Sequence, residues 1–260
     1  MEEYILITGA SSGIGYHMAI QLAEKNKNLI LIARNEEKLK NIQLELTSLY
    51  KISVHYIVKD LSLVDNAIEL YGEVLEKNLL VTGLVNNAGV GTYGKFTDTS
   101  LDEELKMIDL NISSLVVLNK LFAKDMLERG AGRIMNISSL MAFLPFPYYS
   151  VYSATKSFVL AFTDTLASEL EGTGVVVTAL CPGPVDTGFY SEEMLKAKMV
   201  KTNKPVHPGI VAEAGVKLLL SGKGKKVVGW MNWLLSNIPR VVPDFVMMKI
   251  KKRLASKSRY

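Results

Sequence analysis

Tyr152 and Lys156 stand four residues apart in the run Tyr-Ser-Ala-Thr-Lys, a spacing that puts both side chains on one face of a helix. An ammonium beside a phenol favours the phenolate and draws its pKa down from about 10 toward the working range. A tyrosine so tuned can give a proton to a carbonyl oxygen or take one from an alcohol. Such pairs also arise by chance on solvated helix faces, so the argument needs further residues. Ser138-Ser139 closes one apolar run, Asn86-Asn87-Ala88-Gly89 closes another, and Asn111 falls in the helix after the second. Strand ends of this kind are where open α/β sheets bind their ligands.

The run Thr8-Gly9-Ala10-Ser11-Ser12-Gly13-Ile14-Gly15 follows the first apolar segment and opens a helix with Met18, Ala19, Leu22 and Ala23 on one face. Glycines there permit a tight turn and close approach of the backbone to a pyrophosphate, which then rests on helix N–H groups. The spacing is Gly-x3-Gly-x-Gly, not the commoner Gly-x-Gly-x-x-Gly. About twenty residues on, an NAD-binding fold places an acid against the adenosine ribose. Here the segment ends Ala33-Arg34-Asn35, with no acid before Glu36. A guanidinium at that point suits the 2′-phosphate of NADP; the alternative is a surface arginine at a strand end.

The elements that must position these residues alternate along the chain. Tyr4–Thr8, Asn28–Ala33, Ser53–Val58, Gly83–Asn86, Arg133–Ser138 and Val175–Cys181 read as short, nearly all-apolar strands, as in a parallel sheet covered on both faces. Between them run helical periods, for example Val64, Ala67, Ile68, Tyr71, Val74 and Leu75 on one face. The expectation is a single α/β domain, a doubly wound parallel sheet of Rossmann type with helices on both faces. The prolines begin only at Pro145 and come in pairs, Pro145/Pro147, Pro182/Pro184, Pro205/Pro208 and Pro239/Pro243. These pairs predict irregular segments that shape a substrate site.

Taken together, these motifs resemble the short-chain dehydrogenase/reductase family in its form of about 250 residues. The matching residues are the TGxxxGIG run at Thr8–Gly15, Asp60-Leu61, NNAG at Asn86–Gly89 and Asn111, then Ser139, YxxxK at 152–156, and the Pro182-Gly183 turn leading to Thr187. They are collinear over about residues 1–190. The resemblance implies that Tyr152 is the general acid/base, and that Lys156 tunes it and holds the nicotinamide ribose. It also implies that Ser139 bonds the substrate oxygen and that Asn111 holds a water in a proton relay. It implies a cofactor resting on Gly9, Ser11, Ser12, Gly13, Ile14, Arg34, Asp60, Leu61, Asn87, Ala88 and Gly89. Tyr152, Lys156, Pro182, Gly183, Val185 and Thr187 complete that cofactor set. Many NADP-dependent relatives carry a basic residue just before the second glycine, where this chain has Ser12, so the NADP expectation rests on Arg34. The expected activity is hydride transfer between NADP(H) and a carbonyl or alcohol. The rival readings are a same-fold isomerase or dehydratase, for which the glycine spacing differs, and a non-catalytic dinucleotide sensor, which would shed the catalytic residues.

Composition bounds the rest. The chain has 260 residues, 48% of them hydrophobic, and a net charge of +4. The last twelve residues hold six basic groups and no acid, leaving −2 on the remainder, so the charge does not mark a nucleic-acid-binding body. The single Cys181 precludes an intramolecular disulfide and fits a reducing compartment. The start Met1-Glu2-Glu3 lacks the basic region of a secretory leader, and no apolar run reaches about 18 residues; a cytoplasmic protein is expected. His17, His55 and His207 have no partners at ligand spacing, so no metal is expected. Leu140, Met141, Phe143, Phe146, Tyr148 and Tyr149, then Phe189, Tyr190 and Met194, are expected to wall a pocket for an apolar ketone, aldehyde or acyl chain. Residues 1–230 are read as the cofactor-binding and catalytic domain, in a homodimer or homotetramer. Residues 231–260 form a basic amphipathic extension with Met247, Ile250 and Leu254 in a stripe. That extension is read as packing on its own domain or a subunit, covering the cleft, or touching anionic membrane through residues 244–260.

Overall fold

The computed structural model describes residues 2–188, 204–240 and 242–255. The strands are β1 (Glu3–Thr8), β2 (Asn28–Ala33), β3 (Val54–Val58), β4 (Leu80–Asn86), β5 (Gly132–Ile137), β6 (Val175–Cys181) and β7 (Gly224–Val227). They form one sheet in the order β3-β2-β1-β4-β5-β6-β7, every pairing parallel. The expected doubly wound sheet is therefore the observed fold. Its strand order reverses between β1 and β4, which places a crevice at their carboxyl ends.

The two-sided burial follows from the period of two along each strand. Ile5 and Ile7 of β1 enter one core with Met18 and Leu22 of α1 (Gly13–Ala23) and Val211, Ala212 and Val216 of a later helix. Tyr4 and Leu6 enter the opposite core, with Leu70 and Val74 of α3 (Asp65–Glu76) and Leu118, Phe122 and Met126 of α5 (Ser114–Arg129). Each such side chain contributes about 1.5–3 kcal/mol on leaving water; polar residues buried in the strands, such as Asn136 and Thr178, are hydrogen-bonded. Between β2 and β3 runs α2 (Glu36–Tyr50); its N-cap is Asn35, whose side chain accepts the Lys38 N–H at 2.9 Å. A short helix, α4 (Leu101–Ile108), passes through a π-turn at Asp109–Ser113 into α5. Tyr152 lies in the first turn of α6 (Ser150–Glu169). The last three helices are α7 (Pro208–Ser221), α8 (Trp230–Asn237) and α9 (Asp244–Ala255).

Several expectations shift. The α3 stripe is Ala67, Leu70 and Val74, whereas Ile68 and Leu75 are exposed; choosing Leu70 over its neighbours required knowing where the sheet lies. Pro208 does not mark an irregular segment but opens α7, where its missing N–H costs nothing. His207 caps that helix, its Nδ1 accepting the Gly209 N–H at 3.1 Å. The seventh strand escapes an apolar-run criterion because β7, at the sheet edge, reads Gly-Lys-Lys-Val with both lysines exposed, a composition that protects free edges. Among the described residues no group of three or more His, Cys, Asp and Glu could hold a metal ion.

Candidate active site

The crevice is pinned by Thr8 and Asn87, which end neighbouring strands. Thr8 Oγ1 accepts the N–H groups of Asn87 and Ala88 at 3.0 and 2.9 Å, and Asn87 Nδ2 donates to the carbonyl oxygens of Thr8 and Gly9 at 2.9 and 3.2 Å. Between them Gly9 turns at φ +65°, and a Cβ there would lie 2.9 Å from Asn87 Nδ2 and 3.0 Å from Ala88 Cα. Only glycine fits both the angle and the approach. Ser12, the N-cap of α1, makes no side-chain hydrogen bond to the first turn, which leaves helix N–H groups free for an anion. A cleft of about 840 Å³ runs from this cradle along the carboxyl ends of the strands.

Gly9, Ser11, Ser12, Gly13, Ile14, Arg34, Asp60, Leu61, Asn87, Ala88, Gly89, Pro182, Gly183, Val185 and Thr187 all line that one cleft, as do Ser139, Tyr152 and Lys156. The chain brings them there from the ends of six strands, β1 to β6, and from α6. Asp60 is oriented by Ser62, whose N–H and hydroxyl donate to Oδ1 at 3.0 and 2.8 Å. Val185 is held by a bridge to Val206. Asn111 does not line the cleft. It sits behind Gly89, wholly buried in the π-turn, with Oδ1 accepting the Val90 N–H at 3.1 Å and Nδ2 donating to the Val90 carbonyl at 3.0 Å and Thr155 Oγ1 at 3.1 Å. The π-turn breaks the helical ladder, and its asparagine bonds across to the segment after β4.

Lys156 is also buried. Its Nζ donates to the Ile137 carbonyl at 3.0 Å and lies 5.9 Å from the centroid of the Tyr152 ring. Burial pushes the Lys156 ammonium down to about 8. A Cβ on Gly89 would fall 3.1 Å from Asn111 Oδ1 and 3.3 Å from Lys156 Nζ, so these two side chains converge on Gly89. Ser139 Oγ accepts the Met141 N–H at 3.1 Å, which leaves its own proton for another acceptor. Ser138, its neighbour, instead donates to the Lys156 carbonyl at 2.8 Å and ties β5 to α6. Cys181 is fully buried, and burial pushes its thiol up to about 12, which suits a packing role.

Beside Tyr152 the wall is apolar: Leu140, Leu144, Phe146 and Tyr149 form one buried cluster with Tyr152 and with Met247 of α9. One aromatic expected in this wall is elsewhere: Phe143 packs on the cluster of Leu160, Ala179 and Cys181. Tyr148, in the left-handed region at φ 70°, packs on the wall's cluster and against Tyr93 without lining the cleft itself. Phe189, Tyr190 and Met194 lie outside the described residues. Sequence reasoning missed Lys38 and Lys59 beside Arg34, and Leu235, Ile238 and Lys251 on the far wall. Lys38 had a signal, standing four residues after Arg34. Lys59 did not, and it is occupied by Glu69 and Glu73 at 2.8 Å each.

Comparison with known proteins gives an independent view. The short chain dehydrogenase family profile matches residues 3–197. The chain is 31% identical over 258 residues to a very-long-chain 3-oxoacyl-CoA reductase of Macaca fascicularis, covering 96% of this chain and 80% of that protein. It is 29% identical to the probable oxidoreductase EphD of Mycobacterium tuberculosis, where it spans about half (45%) of the longer relative. Among solved structures, a short-chain dehydrogenase from Sphingobium yanoikuyae in complex with NADPH superposes with a TM-score of 0.81 at 26% identity, covering 100% of each chain.

Proposed function

The chain belongs to the short-chain dehydrogenase family and is an oxidoreductase, and from that premise we propose that it interconverts an apolar carbonyl compound and its alcohol with NADP(H). The observation that carries this reading is the continuity of one cleft from the glycine cradle through Ser139, Tyr152 and Lys156 to an apolar wall. When bound, the nicotinamide supplies or accepts the hydride.

The protein's own residues handle position and proton. Gly9, Ser12 and the first turn of α1 would hold the pyrophosphate; Asp60 and Leu61 would meet the adenine, and Arg34 with Lys38 would meet the 2′-phosphate. Lys156 would hold the ribose on the nicotinamide side, Asn87, Ala88 and Gly89 would lie near the adenosine and ribose, and Val185 and Thr187, beyond the Pro182-Gly183 turn, would touch the carboxamide. Ser139 donates to the substrate oxygen, because its Oγ already accepts from Met141. Tyr152 gives the proton to that oxygen in reduction and takes it in oxidation. The ammonium of Lys156 stabilises the negative charge this leaves on the phenolic oxygen, and it does so in a water-poor site where charges act strongly. Asn111, across Gly89 from Lys156, lies on the path by which the proton is replaced from solvent.

The substrate reading rests on the lining. Leu140, Leu144, Phe146, Leu235, Ile238 and Met247 line the cleft with apolar surface, and beside them on the far wall the one cation among the described residues is Lys251; the name of the macaque relative points likewise to a carbonyl on a long acyl chain. Residues 1–230 would carry cofactor and catalysis, with 231–260 completing the substrate wall, in a cytoplasmic homo-oligomer. The test is NADPH oxidation followed with aliphatic ketones, aldehydes and 3-oxoacyl thioesters of increasing chain length. Turnover rising with chain length is expected, and preference for short, charged carbonyl compounds overturns the reading.

A further inference from the structure

Helix α8 is amphipathic the wrong way round for a helix in water. Its buried residues are the polar Asn232 and Ser236, while Trp230 (75% exposed), Met231, Trp233 (60%) and Leu234 face outward. At 3.6 residues per turn these four apolar side chains cover an arc of roughly 160°. The inversion has a cause. Asn232 sits over the Pro182-Gly183 turn, where a Cβ on Gly183 would overlap its side chain, and its Nδ2 donates to the Val228 carbonyl at 2.7 Å. That contact fixes which face looks inward and leaves both tryptophans in solvent.

Helix α9 continues the surface. Phe245 and Met248, 67% and 69% exposed, share one face with the exposed Lys249 and Lys252 at spacing i, i+3, i+4, i+7. Its other face turns Met247 into the apolar cluster that receives Leu235 and Ile238, so the two helices are anchored together from within. The charge of this end is as lopsided as its polarity. Residues 221–260 hold ten lysines and arginines against one acid, Asp244, whereas residues 1–220 hold twenty bases and twenty-five acids. Lys223, Lys225 and Lys226 are exposed just before α8.

We propose that the outer faces of α8 and α9 dock this protein on the surface of an anionic lipid bilayer, without crossing it. Tryptophans, leucine and phenylalanine ringed by lysines are the composition of helices that lie in the interfacial plane. No helix among the described residues is long and apolar enough to span. A second copy is the poorer occupant, because a two-fold interface on this face would set the exposed Lys223, Lys226, Lys249 and Lys252 of one copy against those of the other. The surface extends the sequence expectation, which rested on residues 244–260 alone, to α8.

The test uses the full chain and needs no turnover. Trp230 and Trp233 are the two tryptophans of the protein, so intrinsic fluorescence reports directly on the proposed surface. Phosphatidylcholine vesicles containing 30% phosphatidylserine should shift their emission to the blue and sediment the protein at low salt. Pure phosphatidylcholine should do much less, and high salt should release the protein. Each lysine near the surface is worth roughly fivefold in partitioning, so Lys249→Gln/Lys252→Gln should weaken binding about 25-fold. Trp230→Ser/Trp233→Ser should abolish sedimentation while keeping the parent melting temperature, since both rings are exposed. Equal recovery with neutral and anionic vesicles, or parent-like binding by both variants, overturns the proposal. So does a dimer that the tryptophan variant dissolves while vesicles capture neither protein, which would assign the face to a second copy.

Discussion

Removing the Arg34 guanidinium should cost affinity for NADPH and leave NADH almost untouched. Arg34 follows β2 at the rim of the cleft, one helical turn before Lys38, and neither makes a salt bridge among the described residues. Lys59, the third cation there, is tied to Glu69 and Glu73 and is poorly placed to substitute. The residue before Arg34 is Ala33, so no acid repels a 2′-phosphate at the strand end. A hydrogen bond to a charged group contributes about 1.5–3 kcal/mol. Because Arg34 is exposed, the lower end applies, which corresponds to roughly tenfold in Kd. Arg34→Ala/Lys38→Ala should lose roughly 50- to 100-fold, a second exposed cation adding about 1 kcal/mol. The α2 cap survives in both variants, since Asn35 takes the backbone N–H of residue 38. Fluorescence titration of both cofactors into parent and variants measures this, and added salt should narrow the parent's preference. If the parent binds NADH as tightly as NADPH, or if Arg34→Ala weakens both alike, the assignment of Arg34 is refuted.

Tyr152→Phe should keep fold and cofactor affinity while losing about 10²–10⁴-fold in kcat, the usual contribution of a general acid/base; turnover within threefold of the parent ends that assignment. Asn111→Leu should lower the urea midpoint by the equivalent of about 1–3 kcal/mol, because it takes the partner from the Val90 N–H and carbonyl and from the buried Thr155 Oγ1. A loss under 1 kcal/mol would show that Val90 finds other partners. Lys156, lowered to about 8 in the folded protein, binds fewer protons there than in the unfolded chain between pH 8 and its ordinary 10.5, so stability gains with pH in that window. Cys181, raised to about 12, pulls the other way above pH 9. The stability difference between parent and Lys156→Met should therefore move in the parent's favour by about 1 kcal/mol from pH 7 to 9. A pH-independent difference in denaturation midpoints contradicts it.

How much was legible in the sequence depended on the kind of pattern involved. Strands β1, β2 and β6 were readable to within a residue because a strand buried on both faces must be apolar throughout, and few alternatives share that signature. The glycine cradle and the Tyr152–Lys156 pair were readable because local geometry alone fixes their spacing. Tertiary structure decided the rest. Whether Ile68 or Leu70 faces the core depends on where the sheet lies against α3. Asn111 could be singled out but not placed; its burial behind Gly89 follows from the π-turn and from Val90 arriving on the segment after β4. Phe143 and Phe146 are alike in sequence, yet only Phe146 walls the cleft, while Phe143 packs on Leu160, Ala179 and Cys181. The outward tryptophans of α8 are the clearest case. Periodicity identifies a helix's apolar face and assigns it to the interior, but here the interior position was taken by Asn232, whose contact with the Pro182-Gly183 turn joins residues some fifty positions apart in the chain.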